Sequence, residues 1–146
     1  MCQPSTLSEC TNNKNRLLPL IFLFISSVVW PDQPWTETLE LTDLSATQPA
    51  IKAWANDVYI VWSDDRLASK EIFFRHSKNA GENWSIDQRV TQTSADSVEP
   101  DIELDNRYLY LVWQEDQAIK FALYDGEIWK NQSTLSTSGR RPRISA

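Results

Sequence analysis

Cysteine, histidine, methionine and glycine are all scarce in this 146-residue chain, which has two Cys, one His, one Met and three Gly. Each scarcity closes off a class of protein. Two cysteines are too few for a disulfide scaffold, and with His76 as the only imidazole no Cys/His cluster has zinc-site spacing. A serine or cysteine hydrolase would have to recruit that same histidine as its base, which removes most such arrangements. No motif calls for a cofactor or a metal. Basic residues are outnumbered, 14 Lys and Arg against 20 Asp and Glu, for a formal net charge of −6. A phosphate backbone needs a concentrated basic surface, so nucleic acid is not an expected partner. What is present suffices for a packed core: 41% hydrophobic and 11% aromatic residues are too many for a disordered chain.

The first residues read as an address. Lys14 and Arg16 precede the apolar run that begins at Leu17, and Ser26 and Ser27 follow it, the three-part layout of a secretory signal over residues 1–27. The run from Leu17 to Trp30 falls short of the ~20 residues that span a bilayer as helix. Ile25 occupies a position where cleavage prefers a small residue, so an uncut signal anchor through Leu17–Trp30 is the alternative. Cleavage after Ser27 would remove both Cys2 and Cys10, leaving residues 28–146 without a disulfide. The expected location is secreted or at the cell surface, periplasmic or extracellular, with a signal-anchored membrane protein as the other possibility.

The remainder repeats. The run Val58-Tyr59-Ile60-Val61-Trp62 recurs as Leu109-Tyr110-Leu111-Val112-Trp113, 51 residues on, and the same offset carries Pro49-Ala50-Ile51 to Pro100-Asp101-Ile102. A third copy of that opening stands at Pro142-Arg143-Ile144. Trp35, Trp84 and Trp129 form a second series of similar spacing. Both markers give a unit in the size range of β-propeller blades. Within the units, β-branched and aromatic runs predict strands covered on both faces, and Asn56-Asp57, Asp105-Asn106 and Asp125-Gly126 supply turn chemistry between them. Each unit reads as a four-stranded antiparallel meander, over 50–54, 57–63, 70–77 and 84–91, then 100–105, 107–114, 118–124 and 127–131.

Between the third and fourth strands of the first unit stands Ser77-Lys78-Asn79-Ala80-Gly81-Glu82-Asn83-Trp84. It resembles the Asp-box, the Ser-x-Asp-x-Gly-x-Thr-Trp motif of sialidase-like propellers with BNR repeats, with Asn79 in place of the aspartate and Asn83 in place of the threonine. Ser77, Asn79, Gly81 and Trp84 are structural in this motif: the polar side chains bond turn amides, glycine takes positive φ and tryptophan plugs the gap between strands. The second unit keeps a shortened form, Tyr124-Asp125-Gly126-Glu127-Ile128-Trp129. The resemblance implies an all-β fold of sialidase-like propeller blades, with about two and a half blades present where closed propellers have four to eight. Residues 28–146 then form a partial propeller, in units of about 35–84 and 84–129 with a third beginning over 130–146, completed by further blades or by self-association. It also implies a parent protein that acts on glycans as an exo-α-sialidase-type glycosidase; the alternative is a non-catalytic cell-surface propeller that binds carbohydrate or protein.

Functional groups are expected at the end of the meander opposite the Asp-box, in the links from strand two to three and from strand four to the next unit. Asp64 and Asp65 are the candidate acid/base residues there. Arg66, Arg140 and Arg141 are the candidates to clamp an anionic sugar through guanidinium–carboxylate contacts. The alternative reading of Asp64-Asp65-Arg66 is structural, an Asx turn with a local salt bridge. The arginine, tyrosine and glutamate set of the sialidase site is not placed in this chain, so by itself the chain is not expected to be active. Trp62, Trp84, Trp113 and Trp129 fall on repeat positions and are expected in the core, His76 is expected to have a packing or surface role, and Trp54 ends an inner strand.

Overall fold

The computed structural model of the chain describes residues 38–42, 45–105 and 107–145, so the leader expected at 1–27 lies outside the described residues. The described chain is all-β. β1 (Ala46–Trp54), β2 (Asp57–Asp64), β3 (Glu71–Ser77) and β4 (Gln88–Arg89) form one four-stranded sheet. β5 (Ser97–Leu104), β6 (Leu109–Glu115), β7 (Ala118–Tyr124) and β8 (Trp129–Ser136) form a second. Every neighbouring pair within each sheet is antiparallel, which is the meander expected from the sequence. Among the described residues no helix is long and apolar enough to cross a membrane.

The largest departures from the expected strand limits, in β1, β4 and β8, each have a local reason, and β5 starts early, at Ser97. β1 begins at Ala46 rather than near residue 50, because the strand carries a bulge that accommodates its proline: Thr47 pairs with Ser63 and Ala50 with Val61, leaving Gln48 and Pro49 opposite Trp62 alone. A bulged position asks for no ladder hydrogen bond, and so tolerates a residue without an N–H. β4 shrinks to two residues because the preceding segment is held by its turn, with Ser85 N donating to His76 O at 2.9 Å. β8 runs on to Ser136 through polar residues that carry no apolar alternation. In the first hairpin the positive φ falls on Ala55, one residue before the Asn-Asp pair.

The bulge is a repeated device. In the second sheet Val98 pairs with Gln114 and Asp101 with Val112, which leaves Glu99 and Pro100 opposite Trp113. Gln48 (φ 55°), Glu99 (φ 53°) and Arg141 (φ 51°) each precede a proline of the repeated Pro-x-Ile opening. A residue before proline normally stays extended, and non-glycine residues at positive φ are uncommon, so three in equivalent places mark one inherited backbone feature.

The core lies between the sheets. Alternation places Ala50, Tyr59, Val61, Ile72 and Phe74 of the first sheet on one face, and they meet Ile102, Leu104, Leu109, Leu111, Trp113, Ala122 and Tyr124 of the second. Phe74 is at the centre, its ring 4.9 Å from Tyr124 and edge-on to Trp129 at 5.2 Å. Burying a side chain of that size contributes roughly 2–3 kcal/mol. Polar groups tie the margins: Lys52 Nζ reaches Glu103 at 2.9 Å, Ser63 Oγ donates to Ser97 O at 2.8 Å, and Gln132 Nε2 donates to Val90 O at 3.1 Å. Of the tryptophans expected inside, Trp62 and Trp113 are buried and Trp84 and Trp129 are half-buried; Trp54, at the end of β1, stands 66% exposed.

Candidate ligand-binding face

Antiparallel order sends the β1–β2 and β3–β4 turns to one end of the sheets and the β2–β3 and β6–β7 links to the other. The Asp-box-like turn is at the first end. Its Ser77 Oγ accepts from Gly81 N at 2.8 Å and from Asn79 N at 3.3 Å, and donates to Asn79 Oδ1 at 3.0 Å. Asn79 Oδ1 accepts from Asn83 N at 2.9 Å, and Gly81 has φ +90°. Hydroxyl, amide and glycine thus close a turn on themselves, leaving Ser77 buried. Trp84 then lies against Gly81, where an added Cβ would meet its ring at 3.8 Å.

At the other end the candidates part company. Asp64 is buried at the end of β2, with Oδ1 accepting from Arg66 N at 2.9 Å and Oδ2 accepting from Trp62 Nε1 at 3.0 Å and Arg66 Nη2 at 2.6 Å. The Arg66 hydrogen bonds bring its pKa down to about 2 against the opposing cost of burial. Arg66 also donates from Nη1 to Asp87 Oδ2 at 2.6 Å, and its guanidinium sits 4.3 Å from the centre of the Phe73 ring. Asp87 accepts from Arg75 Nε as well, so Asp64, Arg66, Asp87 and Arg75 form one chain of alternating charge. Asp65 is exposed and belongs to none of it. Among the described residues no group of three or more His, Cys, Asp or Glu could hold a metal ion.

A second acidic centre had no counterpart among the sequence candidates. Glu71 is fully buried at the start of β3, with Oε1 accepting from Arg89 Nη2 at 2.6 Å and Thr93 N at 2.9 Å, while Oε2 accepts from Thr91 Oγ1. Every acceptor position faces a donor, which suits a structural carboxylate. The signal was present in pairing order, since β3 and β4 run antiparallel and put Arg89 beside Phe73, two residues from Glu71.

The repeated bulges gather groups that remain open to solvent. Glu99 N donates to Gln48 Oε1 at 2.9 Å, Glu99 Oε1 lies 3.6 Å from Arg141 Nε, and Ile144 N donates to Asp101 Oδ2 at 3.0 Å. Gln48, Pro49, Glu99, Pro100, Arg141 and Arg143 line a recess of about 400 Å³. The other oxygen of Glu99, Oε2, is shielded from solvent and has no hydrogen-bond partner. Arg141, by contrast, extends into solvent.

Compared with known families, curated proteins and solved structures, the chain matches none.

What the recess can do follows from its groups. Two guanidiniums at the rim offer paired donors for a carboxylate or for vicinal hydroxyls. Of the sequence candidates Arg141 is in this recess, whereas Asp64 and Arg66 are bound to each other. Gln48 and Arg143 were not singled out. Their clue was the residue on either side of the repeated proline, read as a repeat marker and not as a set of side chains.

Proposed function

We propose that this chain is an exported pair of Asp-box-type β-propeller blades whose bulge-bearing face recognises a glycan. The observation that carries the reading is the recess at the stacked bulges, which Arg141 and Arg143 line. A sugar presents vicinal hydroxyls to the guanidiniums, and an acidic sugar adds a carboxylate. The turn at Ser77–Trp84 and the bulges at Gln48, Glu99 and Arg141 support the propeller assignment, and the apolar run from Leu17 supports export to the cell surface or beyond.

Recognition is favoured over hydrolysis by these residues. A general acid must hold its proton near neutral pH, and Asp64, brought down to about 2 by Arg66, is an anion there. Glycosidase activity of the exo-α-sialidase type belongs in this reading to a larger parent that would supply nucleophile and acid.

Calorimetric titration with sialyllactose and with lactose separates the possibilities. Sialyllactose is expected to bind the more tightly, and Arg141→Ala combined with Arg143→Ala to weaken it roughly tenfold or more. Binding that survives the double substitution, or no binding of either sugar, would refute the reading.

A further inference from the structure

The two sheets meet through unlike faces. In the first sheet the inward face is Tyr59, Val61 and Phe74; in the second it is Leu109, Leu111 and Trp113. The offset of 51 residues maps the second set onto Val58, Ile60 and Trp62, which alternate to the outer face of the first sheet. Matching register maps the first set onto Tyr110, Val112 and Phe121, on the outer face of the second: Val61 pairs with Phe74 as Val112 pairs with Phe121. Both halves of the internal interface are therefore displayed again on the outside of the molecule. An interface of this kind is heterologous, so using it leaves one half of each kind unused at the ends.

The outer face of the first sheet is closed over Trp62 and Phe73 by Arg66, and open beyond them, where Ile51 is 60% exposed next to Val58 and Ile60. The outer face of the second sheet carries half-buried Tyr110, Phe121 and Leu123. Residues 141–144 lie against β5, with Arg141 Nε 3.6 Å from Glu99 and Ile144 N donating to Asp101 Oδ2. Arg141 shares the positive φ of Gln48 and Glu99.

We infer that copies of this chain associate head to tail, the Ile51/Val58/Ile60 face of one copy seating on the Tyr110/Phe121/Leu123 face of the next and continuing the internal packing. This rests on the sheet packing and not on glycan recognition.

Sedimentation velocity over a concentration series tests it on the full chain. The chain itself is expected to form species larger than a dimer as concentration rises, because no copy uses both faces in a closed pair. Ile51→Glu blocks one face and Phe121→Glu the other, and each variant alone should sediment as a monomer. Mixed in equal amounts they should form a dimer and nothing larger, since one intact face of each kind remains. Circular dichroism checks that each retains its sheet signal, with Ile60→Glu and Leu123→Glu as replacements for a variant that does not fold. A chain that stays monomeric at about 100 µM, two decades above a micromolar Kd, overturns the inference. So does a mixture that gives no dimer, or a single variant that still self-associates, as it would if the apolar leader drove assembly.

Discussion

Trp62 and Trp113 hold the same place in the two sheets, each opposite a bulge, and both are buried, yet their indole N–H groups fare differently. Trp62 Nε1 donates to Asp64, whose other bonds run through Arg66 to Asp87 and Arg75. Trp113 Nε1 has no partner, and the residue equivalent to Asp64 is Glu115, which reaches outward to Lys120 at 3.3 Å. The same contrast recurs at the neighbouring position, where buried Glu71 of the first sheet corresponds to Ala118 of the second. The apolar pattern of the repeat fixes the strands and their pairing, while polar completion is particular to each sheet. A buried donor left unpaired costs about 1–3 kcal/mol, so the two sheets reach similar backbones with different reserves.

The contrast is tested most strongly at its centre. Phe74→Ala should cost about 4 kcal/mol in urea unfolding of a dilute sample, because its ring is enclosed by both sheets. Phe121→Ala, at the matching place on the outer face, should cost about 1 kcal/mol. Equal losses would mean that the outer face is packed as tightly as the inner one. Next in size is Glu71→Ala, expected to lower stability by about 3 kcal/mol by stranding Arg89, Thr91 and the Thr93 amide. Adding Arg89→Ala should recover part of that loss, and a fully additive double variant would remove the ion pair from the account.

The smallest effect concerns His76, whose counterpart is Leu123. Burial among aromatic rings, with Lys78 nearby, pushes the imidazole pKa below its ordinary value, and Asp57 only partly opposes this. Between that lowered pKa and about 6.5 the unfolded chain holds a proton that the folded chain does not. Stability therefore falls as pH drops below about 6.5, by at most about 1.4 kcal/mol per pH unit. His76→Phe should flatten thermal stability over this interval. Asp64 contributes in another window: its folded pKa of about 2 is depressed, so its stabilisation is present above the ordinary carboxylate range and lost as pH falls towards 2.

Much of this fold was legible because continuous β-branched and aromatic runs have few other uses. Val58–Trp62 and Leu109–Trp113 announced the inner strands, and the repeat offset announced their equivalence. β8 was cut short because Lys130–Ser136 lacks alternation; its pairing with β7 is secured by backbone bonds, to which side-chain patterning is blind. The site was less legible. Asp64 and Asp65 are chemically identical neighbours, and only strand direction decides that one turns inward to Arg66 while the other meets water. The recess was hidden because Gln48, Glu99 and Arg141 share a conformation and not a residue type.

The unequal lengths of β4 and β8 have a consequence for handling this protein. β4 offers two residues at its free edge, too few to template another strand. β8 offers eight, mostly exposed, with Lys130 as its one charge. Between these two edges, strand addition by an extended peptide or in the first step towards fibrils is expected along β8. A second lysine there would blunt the edge without touching the core, and would be a sensible first change where shelf life in solution matters.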